Sequence, residues 1–349
     1  MSAGQASLVV TADDSTGATE AGAACADAGF DVDVVPFGVP SPAGTPRGCL
    51  VVDLRSRHLT PGEARRRMQA TTVGTHRMHK IDSTLRGNWA EEISAVAEGG
   101  RKVVLIPSHP LAGRICDGGV VYVDGVPVAD SELGDDPRLP VRSSRPSETL
   151  DGVELSGPAA LTGWLARSST GVAIVDARTL TEIDELVKIA LIAADVLLAG
   201  PASVVGAVAK LSSPERSGAH LPEPLLPEPI LVVCASLHPV SRVQIAKVGQ
   251  AGVEVVTSSV VRGADSELVA AEVAERAHRL VAERGTRSVI LVGGDTAEAF
   301  IGDNVVRVFG SIDVGVSLGD ARIRGNLLRI ASKPGGFGTA NTLVDLVNR

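Results

Sequence analysis

The sequence predicts an α/β protein of two domains, each a mainly parallel sheet flanked by helices, with an interdomain cleft. Three observations point there. Short β-branched runs alternate with helical patterns along the chain, as expected for parallel strands covered by helices. The length, 349 residues, suffices for two ordinary domains. One proline-spaced polar stretch interrupts the alternation, which then resumes. The expected organisation is a first domain over 1–211, a linker over 212–229 and a second domain over 230–349.

Strands are expected over 7–11, 32–36, 49–53, 102–106, 172–176 and 196–199, all rich in Val, Ile and Leu. Thr60-Pro-Gly-Glu63 and Thr179-Leu-Thr-Glu182 read as capping boxes, the first with Pro at the opening helical position. Tyr122–Pro127 contains an Asp-Gly turn and predicts a hairpin inserted between layers. In the second half, strands over 230–234, 253–257 and 288–292 alternate with helices over 240–248 and 266–283. Gly249 falls where a helix C-cap is expected.

Composition excludes several function classes. Hydrophobic residues at 44% and charged residues at 21% place the chain among folded proteins rather than disordered ones. A net charge of −8 with only five Phe, two Trp and one Tyr argues against nucleic-acid or anionic-membrane partners. The most apolar run, 190–200, is broken by Asp195, and the N-terminus lacks a signal-peptide pattern. Cys25, Cys49, Cys116 and Cys234 are far apart and read as small buried hydrophobes in a reducing compartment, so the cytoplasm is expected. No protein-held metal site is expected.

Three constellations can carry chemistry. Asp13-Asp14-Ser-Thr-Gly17 directly follows the first strand, where an open α/β sheet forms its ligand crevice. Either acid could orient a hydroxyl or accept its proton, and Asp14 or Ser15 could instead simply cap the next helix. Lys80-Ile-Asp82-Ser83-Thr84-Leu-Arg86-Gly-Asn88 precedes a helical stretch. Cations flanking an Asp-Ser-Thr loop suit a small polyhydroxy anion, the cations holding its carboxylate and the oxygens reading its hydroxyls. The third group is three loops of the second domain: Cys234-Ala-Ser236, Gly293-Gly294-Asp295-Thr296, and Ser332–Thr339 with Gly335, Gly336 and Gly338. Glycine loops ahead of helices present N–H groups to phosphate. Asp295 could alternatively cap its helix.

Other motifs fail on spacing. Gly336-Phe-Gly338 lacks both the third glycine and the downstream acid of a dinucleotide fingerprint, which disfavours a dehydrogenase. Gly315-Val-Ser317-Leu-Gly319 matches a nucleophile elbow, but no histidine follows it.

Taken in order, Asp13–Gly17, Lys80–Asn88, Gly293–Thr296 and Ser332–Gly338 resemble the four-carbon acid sugar kinase family over nearly the whole chain. The resemblance implies a sugar-acid-binding first domain, an ATP-binding second domain and phosphorylation of a threonate-, erythronate- or 3-oxo-tetronate-type acid at its terminal hydroxyl. It places Asp13, Asp14, Lys80, Asp82, Ser83, Thr84 and Arg86 on the sugar-acid side. Ser236, Gly293, Gly294, Asp295, Thr296, Gly335, Gly336 and Gly338 fall on the nucleotide side. Asp14 or Asp82 would be the base, Arg86 and Lys80 would hold the carboxylate, and ATP would come with Mg²⁺. A homo-oligomer is left open. Departures in the second domain, among them Gly-Gly-Asp-Thr and Lys333-Pro334, motivate one alternative: a sugar-acid sensor without phosphoryl transfer.

Overall fold

The computed structural model describes residues 8–41, 48–71, 76–134, 136, 138–193, 195–213, 220–259 and 266–349. Its first half runs β1 (Leu8–Ala12), α1 (Ser15–Asp27), β2 (Asp31–Pro36), β3 (Gly48–Asp53), α2 (Pro61–Thr71), β4 (His76–Lys80), α3 (Trp89–Glu98) and β5 (Lys102–Leu105). A small hairpin layer, β6 (Arg114–Asp117), β7 (Val120–Val123) and β8 (Val126–Pro127), follows. Then come β9 (Val153–Leu155), α4 (Gly157–Arg167), β10 (Gly171–Val175), α5 (Leu180–Ile192), β11 (Val196–Gly200) and α6 (Ala202–Ser212). The second half opens with β12 (Ile230–Cys234), α7 (Pro239–Gln250), β13 (Glu254–Thr257), α8 (Ser266–Arg284), β14 (Ser288–Val292) and α9 (Gly294–Ile301). It ends with β15 (Val306–Asp313), β16 (Val316–Ile323), β17 (Asn326–Lys333) and α10 (Thr342–Val347).

Fourteen strands form one sheet in the order β13-β12-β14-β17-β16-β15-β2-β3-β1-β4-β11-β5-β10-β9. From β2 to β9 every pairing is parallel. Strands such as β11 and β14 are buried along their whole length, because helices cover both faces; this is why their sequences are unbroken apolar runs. In the second half β13, β12, β14 and β17 are parallel, and β15–β17 form an antiparallel meander.

The two expected sheets are thus joined at their edges. Antiparallel β2 and β15 set Val34 opposite Val306 and Val32 opposite Val308. Helix α1 lies over this seam, and a Cβ on its Gly22 would come within 3.1–3.3 Å of Val34, Val308 and Val32. The missing side chain of Gly22 is therefore what allows the close helix–sheet approach at the seam. One apolar core runs from Leu8 and Val10 across the seam to Val306, Val308 and Ile330.

The expected strands appear within a residue or so, although Ser7 lies outside the described residues. The Asp-Gly hairpin turn is present, with positive φ at Asp124 (49°) and Gly125 (85°). Three expectations need correction. Gly249 lies inside α7, which continues to Gln250; the left-handed position is Gly252, at φ 86°. The linker region begins later than expected, since α6 includes Ser212; residues 214–219 of it lie outside the described residues. The meander β15–β17 was not anticipated, because its strands carry Gly310, Gly319, Asp320, Arg322 and Arg329 and so lack a continuous apolar run. Among the described residues no helix is long and apolar enough to cross a membrane.

Candidate active site

Both halves place their motifs where strand order reverses. Strand β1 sits between β3 and β4, so the loop after β1 and the end of β4 flank a crevice at the carboxyl edge. That loop is Asp13-Asp14, and the end of β4 is Lys80. In the second half β12 lies between β13 and β14, and the loops leaving β12 and β14 carry Ser236 and Gly293.

On the sugar-acid side the acids and bases form one buried network. Asp13 is fully buried and takes two hydrogen bonds from Arg57, Nε to Oδ2 at 2.7 Å and Nη2 to Oδ1 at 2.9 Å. Nη2 of Arg57 also reaches Asp14 Oδ1 at 2.8 Å and Asp82 Oδ1 at 3.8 Å. Arg86 forms a second fork, donating from Nε and Nη2 to the two oxygens of Asp82 at 3.0 Å each. Burial pushes the Asp82 carboxyl up, but Arg86 and Arg57, with the Thr84 hydroxyl, hold it well below the usual carboxylate range. For Asp13, burial wins over Arg57 and its pKa is raised. Leu85 (φ 62°) and Gly87 (φ 83°) show that the Lys80–Asn88 loop is wound tightly to bring Asp82 and Arg86 together.

Asp14 does cap α1: Oδ1 accepts from Gly17 N and Oδ2 from Thr16 Oγ1, both at 2.9 Å. Ser83 and Thr84 are buried in the Lys80–Asn88 loop, and Thr84 donates to Asp82 through both N–H and hydroxyl. Lys80, almost wholly buried, faces Glu20 of α1, with Nζ 3.3 Å from Oε2. Burial lowers its pKa, and Glu20, Asp13 and Asp14 together more than reverse that. Beyond Glu20 stands His109, whose Nε2 is 3.7 Å from Glu20 Oε1 and whose Nδ1 is 2.6 Å from Ser203 Oγ.

The nucleotide-side loops also converge. A Cβ on Gly293, at φ 100°, would lie 3.4 Å from Ser236 Cβ, and one on Gly335 would lie 3.1 Å from Ser236 Oγ. Thr296 Oγ1 accepts from Ala235 N at 2.9 Å, tying α9 to the loop after β12. The carbonyls of the 334–339 loop are held by the protein. Lys333 Nζ donates to Pro334 O and Phe337 O, Ser241 Oγ to Gly335 O, and Gln244 Nε2 to Phe337 O and Thr339 O, at 2.7–3.0 Å. These bonds, with Phe337 N–H donating to Pro334 O at 3.3 Å and Thr339 N–H to Thr342 Oγ1 at 2.9 Å, fix the shape of the loop. Lys333 has no exposed surface, and burial brings its pKa down to about 8. Gly338 is left-handed, at φ 86°, as an L-residue rarely is.

The two halves meet at these loops. A Cβ on Gly294 would lie only 2.6 Å from Asp14 Oδ2 and 3.0 Å from Thr16 Oγ1. Asp295 does not cap α9, whose N-cap is Gly293. Instead its oxygens meet His58 Nε2 at 3.3 Å and Arg138 Nη1 at 2.7 Å, both from the first half. Burial pushes the Asp295 carboxyl up, and His58 and Arg138 outweigh it, so its pKa is lowered. Arg55 reaches from the end of β3 to Gly302 O and to Asp303, 3.0 Å away. The Arg114 guanidinium lies 5.2 Å from the centroid of the Phe337 ring.

Asp13, Asp14, Lys80, Asp82 and Arg86 thus share one network; Ser236, Gly293, Thr296 and Gly335 share another; Gly294 and Asp295 sit where they touch. Gly336 lies at the His238 ring and Gly338 against Thr342, within the same loop. Lys80 and Arg86, read as free cations for a carboxylate, each have a protein carboxylate partner. Sequence reasoning missed Arg57, Glu20, His58, His109, Arg138 and Ser203, and named Lys333 only as part of the Ser332–Thr339 loop, with no role of its own. Arg57 was findable, because it follows the carboxyl end of β3, another edge of the same crevice. Glu20, His109 and Ser203 come from three separate elements with no motif linking them.

Two family models match the chain: a sugar-binding N-terminal domain over residues 8–208 and a nucleotide-binding C-terminal domain over residues 254–343. The class so defined is a two-domain α/β protein pairing a sugar site with a nucleotide site. The chain belongs to the four-carbon acid sugar kinase family. It is 26% identical to a D-threonate kinase of Bordetella bronchiseptica, over 96% of this chain and 95% of that one. It is 30% identical to a D-threonate kinase of Cupriavidus necator, over 69% of this chain and 63% of that one. A D-erythronate kinase of Heliobacterium modesticaldum is 31% identical over 39% of this chain and 34% of its own length. Among solved structures, a Salmonella typhimurium protein superposes with a TM-score of 0.76 at 18% identity, over 97% of this chain and 98% of that one. A Haemophilus influenzae protein reaches 0.69 at 18% identity, over 98% and 99%.

Proposed function

We propose that the protein is an ATP-dependent kinase that phosphorylates a four-carbon sugar acid at its terminal hydroxyl. One observation carries this reading: the Asp14 carboxylate of the sugar side faces the Gly293–Gly294 loop of the nucleotide side, with no room between for even a methyl group. A hydroxyl held at Asp14 is therefore beside a loop suited to phosphate. The kinase names of the relatives in Bordetella and Cupriavidus agree with it.

In this reading residues 1–212 bind the acid, 213–229 link the halves, and 230–349 bind ATP. Asp14 orients the terminal hydroxyl and takes its proton as the oxygen attacks the γ-phosphorus; the bond from phosphorus to the β–γ bridging oxygen breaks and ADP leaves. Asp82, whose lowered pKa makes it a weak base, holds Arg86 in place. Arg86, with 31% of its side chain exposed, presents its remaining edge to the substrate carboxylate. Ser83, Thr84 and Lys80 line the acid, with Asp13 anchoring Arg57 behind them. Ser236, Gly293, Gly294, Thr296, Gly335, Gly336 and Gly338 cradle ATP, and Asp295 closes the halves over it. Mg²⁺ bound with ATP offsets phosphate charge, so catalysis is positioning and electrostatics. The setting is cytoplasmic, and self-association is compatible with it.

A coupled ADP-release assay over four-carbon acids tests the reading. At least one acid should stimulate turnover, and Arg86→Ala should raise its KM at least tenfold. Acid-dependent thermal stabilisation with no turnover and no ATP-dependent shift would replace the kinase by a sensor.

A further inference from the structure

We propose that His109 and Glu20 form a hydroxyl-recognition subsite that sets which sugar acid is accepted. The proposal rests on the kinase reading of the same crevice and names the group that gives it selectivity. His109 is 4% exposed, and its Nε2 is a buried nitrogen without a hydrogen-bond partner. Its Nδ1 sits 2.6 Å from Ser203 Oγ. With the Ser203 hydroxyl donating to Nδ1, the ring proton resides on Nε2, which becomes an unused donor. Burial, only partly opposed by Glu20, pushes the imidazole pKa down and keeps the ring neutral.

Opposite that donor is Glu20, whose Oε2 is taken by Lys80 at 3.3 Å while Oε1 lies 3.7 Å from His109 Nε2. This gap is too long for a hydrogen bond. A single oxygen seated to one side of the pair, rather than on the line joining them, can still lie about 2.8 Å from both atoms. The oxygen must accept from Nε2–H and donate to a carboxylate. A hydroxyl does both; a carboxylate oxygen would be repelled by Glu20, and an ammonium cannot accept. Burial of an unsatisfied donor is costly, so the site strongly favours a ligand that supplies the oxygen.

The subsite is positioned for a carbinol of the same substrate. Glu20 belongs to α1, the helix that Asp14 caps, and Lys80 stands between Glu20 and the Asp13–Asp14 pair. The hydroxyl it reads is therefore not the one held at Asp14. The inserted hairpin fixes His109, whose N–H donates to Arg114 O at 2.8 Å. Four-carbon acids that differ in configuration at one carbinol carbon direct that hydroxyl differently, and only one epimer places it in the gap.

The test uses the full chain, the preferred four-carbon acid, and its two analogues lacking the C2 or the C3 hydroxyl. Wild type should discriminate against one analogue by about 100-fold in kcat/KM. His109→Phe, which keeps a ring without the donor, should lower kcat/KM for the parent acid by a similar factor, mostly through KM. It should leave that analogue within threefold, so the discrimination collapses. Ser203→Ala and Glu20→Gln should each reduce the same ratio, and they carry the comparison if the Phe variant does not fold. Equal losses for parent and analogue would show a merely structural histidine and overturn the proposal. So would a wild type that turns over all three acids alike. If no acid supports turnover, the kinase reading falls by itself, and the same ratios are read from calorimetric affinities.

Discussion

Gly294→Ala probes the contact between the two halves. The added methyl would sit 2.6 Å from Asp14 Oδ2 and 3.0 Å from Thr16 Oγ1, well inside van der Waals contact. Gly294 is the first residue of α9, and its neighbour Gly293 has φ 100°, so the backbone has little freedom to swing the methyl elsewhere. The Asp14 carboxylate cannot simply rotate either. It is held by Gly17 N and Thr16 Oγ1 at 2.9 Å and by Arg57 at 2.8 Å. Relief to an ordinary contact of roughly 3.4–3.6 Å therefore requires either the carboxylate or the whole α9 loop to move by almost 1 Å. A displacement of that size in a positioned reacting group costs about 100-fold in rate. If the carboxylate moves, the lost cap adds about 1 kcal/mol of destabilisation. The expected result in a coupled kinase assay is a kcat lowered by about 100-fold, with KM for the acid changed by less than fivefold. Melting temperature should fall by only a few degrees. A kcat within twofold of wild type would falsify the placement of Asp14 at the transfer point.

Three further outcomes follow from the same geometry. Arg57→Ala leaves the buried Asp13 carboxylate without its two-bond partner and should cost about 3–5 kcal/mol, read by urea unfolding; Arg57→Lys should recover only part of it. Burial raises Asp53 from the ordinary 3.8 to about 7, against the hydrogen bond from Ser15, so the unfolded chain ionises first as pH rises. Stability should therefore fall between pH 4 and 7 by at most about 4 kcal/mol from this group, and Asp53→Asn should flatten that slope in denaturation curves taken at each pH. Gly336→Ala should weaken ATP binding about tenfold in calorimetry, with acid binding unchanged. The obstacle is the His238 ring, 3.2 Å from the added Cβ, rather than a left-handed backbone, which Gly336 does not have.

Much of the fold was legible because its signals are local. Buried parallel strands such as β11 and β14 are continuous apolar runs, and caps such as Thr179 bond within three residues, with Glu182 N donating to its hydroxyl at 3.2 Å. The meander was not legible, because strands with Gly319, Asp320 and Arg322 in them lack that continuity. Of the site, the loops were legible as loops: Asp13-Asp14, Lys80–Asn88 and the glycine runs stand at strand ends, where a parallel sheet places its ligands.

What only the tertiary structure decided is which of these charged groups face one another. In sequence Arg86 and Lys80 are free cations; in the fold Arg86 is locked to Asp82 and Lys80 to Glu20, 60 positions earlier in the chain. Arg57 carries no motif, yet it ties Asp13, Asp14 and Asp82 together. Asp295, expected on the nucleotide side with a helix cap as the alternative, bonds His58 and Arg138 across the seam. The physical reason is one of range. Propensity, capping and hydrophobic period act over a few residues and are written in consecutive letters. Pairing of these charges depends on distances of a few ångströms between segments far apart in the chain, such as His58 and Asp295, and those distances exist only once β2 and β15 have joined the halves.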